Sequence, residues 1–216
     1  TCYDYDGGDC SDSGLDYCLS LHTGANLKSF YALAEDVSVS SVMLSLGDNI
    51  TGVITEGGAC MQIAPESWVG TQCSIKAEKG YWIVVQSSDE LCLEDATLTD
   101  PSLIYNLHTG ANLVSYCSDL PVGVSDALPD AIESSVSGAI TEGGACMQIA
   151  PGSWVGTQCT FTGGKGYWIM ATESISFSYD LSTMGRIKGD NPIGLTFPEG
   201  FEVLQSTRQA FYFVED

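Results

Sequence analysis

The chain contains two copies of one stretch of sequence, and this repeat constrains its fold more than any other feature. Matching blocks lie at a constant offset, since 108 − 22 = 86, 146 − 60 = 86 and 165 − 79 = 86. The blocks are Leu-His-Thr-Gly-Ala-Asn-Leu, Ile-Thr-Glu-Gly-Gly-Ala-Cys-Met-Gln-Ile-Ala-Pro, Ser-Trp-Val-Gly-Thr-Gln-Cys and Lys-Gly-Tyr-Trp-Ile. Because no gap separates their registers, they indicate a duplicated structural unit rather than a shared short motif.

The repeat divides the chain into four parts. Residues 17–94 are the first copy and residues 103–180 are the second copy. Residues 1–16 form an acidic, cysteine-bearing lead, and residues 181–216 form a tail that matches neither copy. The apolar stretches of this tail predict a β-hairpin, which belongs either to an incomplete further domain or to a segment that pairs with a partner.

The cysteines can be assigned to bridges by comparing the copies. Cys60 and Cys73 both recur in the second copy, whereas Cys18 and Cys92 are both replaced there. Joint loss is expected of a bonded pair, since a lone survivor would be a free thiol. The predicted bridges are Cys18–Cys92, Cys60–Cys73, Cys146–Cys159 and Cys2–Cys10, which leaves Cys117 unpaired. So many cysteines, without the spacings of zinc or redox sites, favour an oxidising compartment.

Each copy is predicted to be a small, mainly β module with one short helix, stapled by disulfides. Alternating apolar residues predict strands at both ends of a copy, and the Cys18–Cys92 bridge would place these strands side by side, closing the module on itself. Further strands are predicted at 26–31, 50–55, 59–64, 71–76 and 80–86. Helical spacing predicts a helix over 36–46, and Pro129 weakens its counterpart in the second copy.

The charge balance excludes some classes of partner. The chain carries 28 Asp and Glu against 7 Lys and Arg, for a formal net charge of −21. Such a field repels nucleic acid and anionic lipid, and no apolar run is long enough to cross a membrane. The sequence begins Thr-Cys-Tyr without Met, which predicts a processed or excised chain. We therefore expect an extracellular or cell-surface protein.

The repeated blocks resemble a recurrent module of large multidomain secreted and cell-surface proteins of marine bacteria. The shared pattern runs Gly-x-Asn-Leu-(Ile/Val)-Ser, a helix, a Glu-Gly turn, Trp-Val-Gly and Gly-Lys-Gly-Tyr-Trp. It occurs here at 24–82 and 110–168, and the first copy departs from it at Lys28 and Glu78. The tail resembles the entry strands of a β domain that often follows such modules. The resemblance implies an extracellular, modular and non-catalytic role and identifies no ligand.

The acidic lead is the strongest candidate for a metal site. Asp4, Asp6, Asp9 and Asp12 are interspersed with glycine and could supply the roughly six to eight oxygens that Ca²⁺ prefers. The segment lacks the bidentate Glu of an EF-hand and resembles the Asp-Gly-Gly-Asp-Cys loops of small cysteine-rich calcium modules. The alternative is a solvated acidic segment held by the Cys2–Cys10 bridge.

The repeated aromatic residues have two interpretations. They could form sugar-stacking platforms, but their recurrence at identical positions favours packing in the core of each copy. On this interpretation only the two tyrosines face outward. The residues are Trp68, Trp82, Trp154, Trp168, Tyr81 and Tyr167.

The titratable residues of the repeats predict no active site. A glycosidase needs two carboxylates about 5–10 Å apart, and we do not expect Glu56 and Glu142 to converge from separate copies. We interpret them as turn residues, and His22 and His108 as strand-end residues with local hydrogen bonds. No nucleophile–histidine–carboxylate set can be assembled without joining the two copies, so the chain is predicted not to be an enzyme.

These features predict a structural or adhesive surface protein that associates with itself or with other surface proteins. The tail residues Phe201, Val203, Phe211 and Phe213 would be costly to leave exposed, so they should pair with the edge of a neighbouring sheet. If that sheet belongs to another copy of the chain, the product is a head-to-tail filament. The alternative is a calcium- or carbohydrate-binding accessory module of a larger extracellular protein.

Overall fold

The computed structural model describes residues 14–182, and the structural statements that follow concern these residues. Several predictions fall outside this range. They are the metal ligands Asp4, Asp6, Asp9 and Asp12, the Cys2–Cys10 bridge, and the tail hairpin with Phe201, Val203, Phe211 and Phe213. These calcium, disulfide and partner-binding predictions therefore stay predictions.

The first copy consists of short antiparallel strands around one helical segment. The strands are β1 (Leu15–Leu21), β2 (Gly24–Lys28), β3 (Ala32–Leu33), β4 (Ile50–Thr55), β5 (Gly58–Ala64), β6 (Ser67–Gly70), β7 (Tyr81–Val85) and β8 (Asp89–Leu98). The helical segment holds α1 (Val39–Val42) and a 3₁₀ helix (Leu44–Asn49).

The second copy repeats this order with small changes. Its strands are β9 (Tyr105–Leu107), β10 (Gly110–Val114), β11 (Val122–Gly123), β12 (Val136–Thr141), β13 (Gly144–Ala150), β14 (Ser153–Gly156), β15 (Thr160–Phe161), β16 (Tyr167–Ala171) and β17 (Ile175–Phe177). Its helices are α2 (Val124–Ala127) and α3 (Asp130–Glu133).

Each copy is built on a five-stranded sheet. The strand order is β2-β7-β4-β5-β6 in the first copy and β10-β16-β12-β13-β14 in the second. The first and last strands pair separately, β1 with β8 and β9 with β17, as predicted from the cysteines. The prediction of mainly β modules is thus confirmed, although the small sheets do not close into a barrel.

The three disulfides predicted within the described residues are present. Cys18 and Cys92 face each other in the β1–β8 register, with their Cα atoms 4.0 Å apart. The Cys60–Cys73 and Cys146–Cys159 bridges recur at equivalent positions, with Cα separations of 5.0 and 4.8 Å. Cys117 is free and buried, as the pairing predicted.

One predicted strand is wrong. Residues 71–76 do not form a strand, and Ser74 makes only an isolated bridge with Ser38. The edge strand is instead β6, which follows a tight turn after β5 and pairs with it. The chain then leaves the sheet, because Cys73 must reach Cys60 and Ile75 is buried in the core.

The predicted helix exists but is shorter than 36–46. The Ser38 side chain caps α1 by accepting a hydrogen bond from the Ser41 amide at 3.3 Å. The following 3₁₀ segment is broken at Gly47, whose φ of 51° favours glycine. In the second copy Pro129 separates α2 from α3, which confirms the predicted interruption.

The two copies differ in how their ends are held together. The first copy uses the Cys18–Cys92 bridge beside leucines, whereas the second copy uses packed aromatic rings. Tyr105 stacks on Phe177 with ring centroids 5.5 Å apart and meets Tyr179 edge-on at 4.9 Å. Such pairs add stabilisation beyond the area they bury, so the second copy compensates for the absent bridge by packing.

Candidate functional site

The two copies meet through backbone hydrogen bonds that come in exchanged pairs. Gly80 donates its amide to the carbonyl of Leu113, and Gly166 donates to the carbonyl of Leu27, both at 3.2 Å. The second bond is the first with the copies exchanged, since 166 − 80 = 86 and 113 − 27 = 86. Such reciprocity is the mark of a two-fold interface, here formed within one chain. We call this contact the inter-copy interface.

Close approach at the inter-copy interface requires glycine at two equivalent positions. A Cβ atom added to Gly80 would lie 2.8 Å from the carbonyl oxygen of Val114. A Cβ atom added to Gly166 would lie 2.8 Å from the carbonyl oxygen of Lys28. Leucine side-chain carbons of the opposite copy lie equally near or slightly farther, but the carbonyl oxygens belong to the backbone and cannot rotate away. The glycine of the Lys-Gly-Tyr-Trp block is therefore required by the contact with the opposite copy.

A glutamate from each copy crosses the inter-copy interface. Glu142 binds the His22 side chain through Oε1 and accepts the Leu27 amide through Oε2 at 3.0 Å. Glu56 makes the same two contacts with His108 and with the Leu113 amide, again at 3.0 Å. Each carboxylate thus fastens an edge strand and a histidine of the opposite copy.

Tight turns aim these glutamates. Thr55 pairs with Gly58, so that Glu56 and Gly57 form the two-residue turn between β4 and β5. Gly57 has a φ of 84°, which a side chain would strain. Thr55 donates its hydroxyl to the Gly80 carbonyl at 2.8 Å, which ties the turn to the glycine at the interface. The repeated Thr-Glu-Gly-Gly block therefore serves to position the carboxylate.

Buried asparagines hold the histidines. The Asn26 side chain accepts the His22 amide and donates to the His22 carbonyl, both at 2.8 Å. Asn112 repeats both bonds with His108. Because each asparagine is almost fully buried, these bonds fix the loop that carries the imidazole.

Both nitrogens of the His22 ring face acceptors. Nδ1 lies 2.8 Å from the Thr23 carbonyl oxygen, and Nε2 lies against the Glu142 carboxylate. Only the imidazolium form can donate to both, so the geometry favours the charged ring. Accordingly, the bond to Glu142 raises the pKa of His22, and the bond to Glu56 raises the pKa of His108.

The His22–Glu142 pair is strongest in a defined pH window. The pKa of His22 lies above its ordinary value of 6.5, so the pair contributes fully below that value and loses strength as pH rises through the raised pKa. Burial opposes ionisation of Glu142, but the bonds from His22 and Leu27 outweigh it and lower the pKa below 4.5. The contribution is therefore also lost as pH falls through that lowered pKa.

The histidine and glutamate interpretations from sequence need correction. The Nδ1 contact of each histidine is local, as predicted, but Nε2 reaches a glutamate of the other copy. Glu56 and Glu142 are turn residues, yet their carboxylates bind across the interface. The contacts span 52 and 120 positions of the chain, so no local pattern identifies the partners.

The aromatic prediction is also partly wrong. Tyr81 and Tyr167, expected to face outward, are each only 1 % exposed, and their hydroxyls accept backbone amides. Trp68 and Trp154 are half-buried and pack against the core of their own copies. The alternation within β7 and β16 is thus the reverse of the expected one, with tyrosine facing inward.

Each five-stranded sheet carries exposed apolar side chains at the same positions. In the first copy, for example, Met61 lies across Gly52 of the neighbouring strand and pairs with Val69. We call the exposed apolar side chains of the two sheets the apolar faces. Their members are Ile54, Met61, Ile63 and Val69 in the first copy and Ile140, Met147, Ile149 and Val155 in the second, each between 38 % and 67 % exposed.

The described residues add no metal site to the one predicted in the lead. Within 14–182, one group has metal-ligand spacing, namely Cys18, Cys92 and Glu90, and its two cysteines are joined in a disulfide. No helix in this range is long and apolar enough to cross a membrane. Comparisons with protein-family models, curated proteins and solved structures find no match to the chain.

Proposed function

We propose that this chain is an extracellular structural or adhesive protein that associates with further copies of itself or with other surface proteins. The observation that carries the proposal is the pair of apolar faces. Ile63 and Ile149 are 67 % and 66 % exposed at equivalent positions of the two copies. Contiguous exposed apolar surface is typical of interaction sites. Two such faces on one molecule would let it contact two neighbours at once.

Other features support an extracellular, non-catalytic role. Three disulfides are compatible with an oxidising compartment. The carboxylates of Glu142 and Glu56 accept hydrogen bonds from backbone amides at the inter-copy interface, which is a structural role. The resemblance of the repeated blocks to modules of secreted and cell-surface proteins points the same way. In this proposal the tail 181–216 is a second contact, which would extend association into a filament.

Charged substitutions on the apolar faces should weaken association. We expect Ile63→Lys with Ile149→Lys to reduce the mean size of the assemblies formed by the full chain, in a concentration series followed by sedimentation velocity. The two added positive charges reduce the overall repulsion of a chain with net charge −21, so a loss of association would reflect the lost apolar contact.

The control for this experiment carries the same charge change elsewhere. Leu98 and Leu120 are 60 % and 53 % exposed outside the five-stranded sheets, so Leu98→Lys with Leu120→Lys should leave association unchanged. A wild-type chain that stays monomeric at every concentration would refute self-association, and equal loss in both variants would refute the role of the faces.

A further inference from the structure

A groove of about 760 Å³ lies beside the helical segment of the first copy, between that segment and the β5–β6 hairpin. Its lining includes Gly47 and the half-buried Trp68. It also includes three exposed acidic residues, Asp36, Asp48 and Glu66, which we call the rim. None of the residues that line the groove takes part in the interface contacts described above.

The second copy shows what fills the equivalent place there. The indole nitrogen of Trp154 donates to Oε1 of Glu133 at 2.6 Å. These two residues are the counterparts of Trp68 and Gly47, since 154 − 68 = 86 and 133 − 47 = 86. The second copy therefore satisfies its indole N–H with a carboxylate from its own chain.

The backbone confirms that positions 47 and 133 are equivalent. The Gln62 side chain donates to the carbonyl of Gly47 at 3.3 Å, and the Gln148 side chain donates to the carbonyl of Glu133 at 3.2 Å. The same glutamine thus anchors the same backbone point in both copies. The difference between the copies is the side chain that projects from this point.

The first copy leaves its indole N–H open to the groove. Gly47 has no side chain to offer, and within residues 14–182 no acceptor forms a hydrogen bond with Trp68 Nε1. Because Trp68 is only half-buried, water can accept from this N–H, and an incoming acceptor would take the place of that water. The groove accordingly has room and a donor where the second copy has a carboxylate.

The chemistry of the rim selects the ligand. The carboxylates of Asp36, Asp48 and Glu66 disfavour an anion. A cation would satisfy these carboxylates but has no lone pair for the Trp68 N–H. A sugar hydroxyl does both, because it donates to a carboxylate while accepting from the indole, and the apolar face of a sugar ring can pack on the indole ring.

We propose that this groove of the first copy binds a neutral glycan, with Trp68 as the donor and stacking surface and the rim carboxylates as hydroxyl acceptors. The site goes beyond the proposed structural function, because it recognises a ligand through residues that the apolar faces do not use. Glycan binding and self-association can therefore fail independently.

The test uses the full chain and neutral oligosaccharides, first on a glycan array and then by calorimetric titration with the best ligand. We expect one site per chain. Trp68→Phe keeps a stacking ring but removes the N–H, and should weaken binding roughly tenfold. Trp154→Phe makes the same change in the second copy, where the N–H is already used internally, and should leave affinity unchanged.

A second variant keeps the test decisive if Trp68→Phe fails to fold. Glu66 lies in an exposed turn, so Glu66→Gln should preserve the fold and weaken binding several-fold by removing a charged acceptor. Absence of binding to any neutral glycan would overturn the proposal. Equal losses of glycan affinity in Trp68→Phe and Trp154→Phe would also overturn it. The same holds if lysine-rich peptide or Ca²⁺ binds more tightly than any glycan and displaces it.

Discussion

Alanine at both Gly80 and Gly166 should destabilise the chain by about 1–3 kcal/mol at each site, the usual cost of overpacking. Each new Cβ atom would lie 2.8 Å from a carbonyl oxygen of the opposite copy, so the edge strands must move apart. That movement would also stretch the glutamate contacts with the Leu27 and Leu113 amides. The measurement is the free energy of unfolding from chemical denaturation.

The matched control places the same substitution at Gly52 and Gly138. There the new Cβ atoms meet chiefly the side-chain ends of Met61 and Met147, which can rotate away. The control should cost less than the interface variant because these side-chain ends can move, whereas the carbonyl oxygens at the interface cannot. The loss of glycine flexibility in the unfolded chain is the same in both variants, so it cancels in the comparison. Equal effects of the two variants would contradict the role of the inter-copy interface.

Among single changes in the first copy, loss of the Cys18–Cys92 bridge should lower stability the most. Its cysteines lie 74 positions apart, and a loop of that length corresponds to roughly 4 kcal/mol in the chain-entropy account. Cys18→Ala with Cys92→Ala should therefore lower the denaturant concentration at which the first copy unfolds and β1 is released from β8. Amide signals of β8, followed by NMR through a denaturant series, would report this release.

The comparison variant removes the shorter bridge, Cys60→Ala with Cys73→Ala. Cys60 and Cys73 lie 13 positions apart, for which the same account gives about 3 kcal/mol. Removal of the Cys18–Cys92 bridge, which closes the longer loop, should therefore cost more stability. If the free energy of unfolding falls by less than about 1 kcal/mol in the variant without Cys18 and Cys92, strand pairing alone is enough to close the first copy. The second copy, which is closed by aromatic packing, should keep its native amide signals in both variants.

The repeat made the bridges predictable because a duplicated sequence supplies its own comparison. Cysteines that persist or vanish together identify their partners without any three-dimensional information. What replaces the missing bridge could not be predicted. Tyr105 lies 72 positions before Phe177, since 177 − 105 = 72, and only the pairing of β9 with β17 brings its ring to Phe177 and Tyr179.

The inter-copy interface was hidden from sequence for a similar reason. The partners of His22 and His108 depend on how the copies are oriented, which no local pattern records. One signal was available. The His-Thr-Gly-Ala-Asn and Thr-Glu-Gly-Gly blocks recur unchanged, although most of their residues are not in the core, and such residues need a reason other than packing.

The central claim is that the two copies pair across a two-fold axis, with each glutamate bound to the histidine of the opposite copy. NMR titration of the two histidines in Glu142→Gln and Glu56→Gln variants tests this most directly. Glu142→Gln should bring the pKa of His22 back towards 6.5 and leave His108 unchanged, and Glu56→Gln should do the converse. Unchanged pKa values in both variants, or a response of the histidine in the glutamate's own copy, would contradict the pairing.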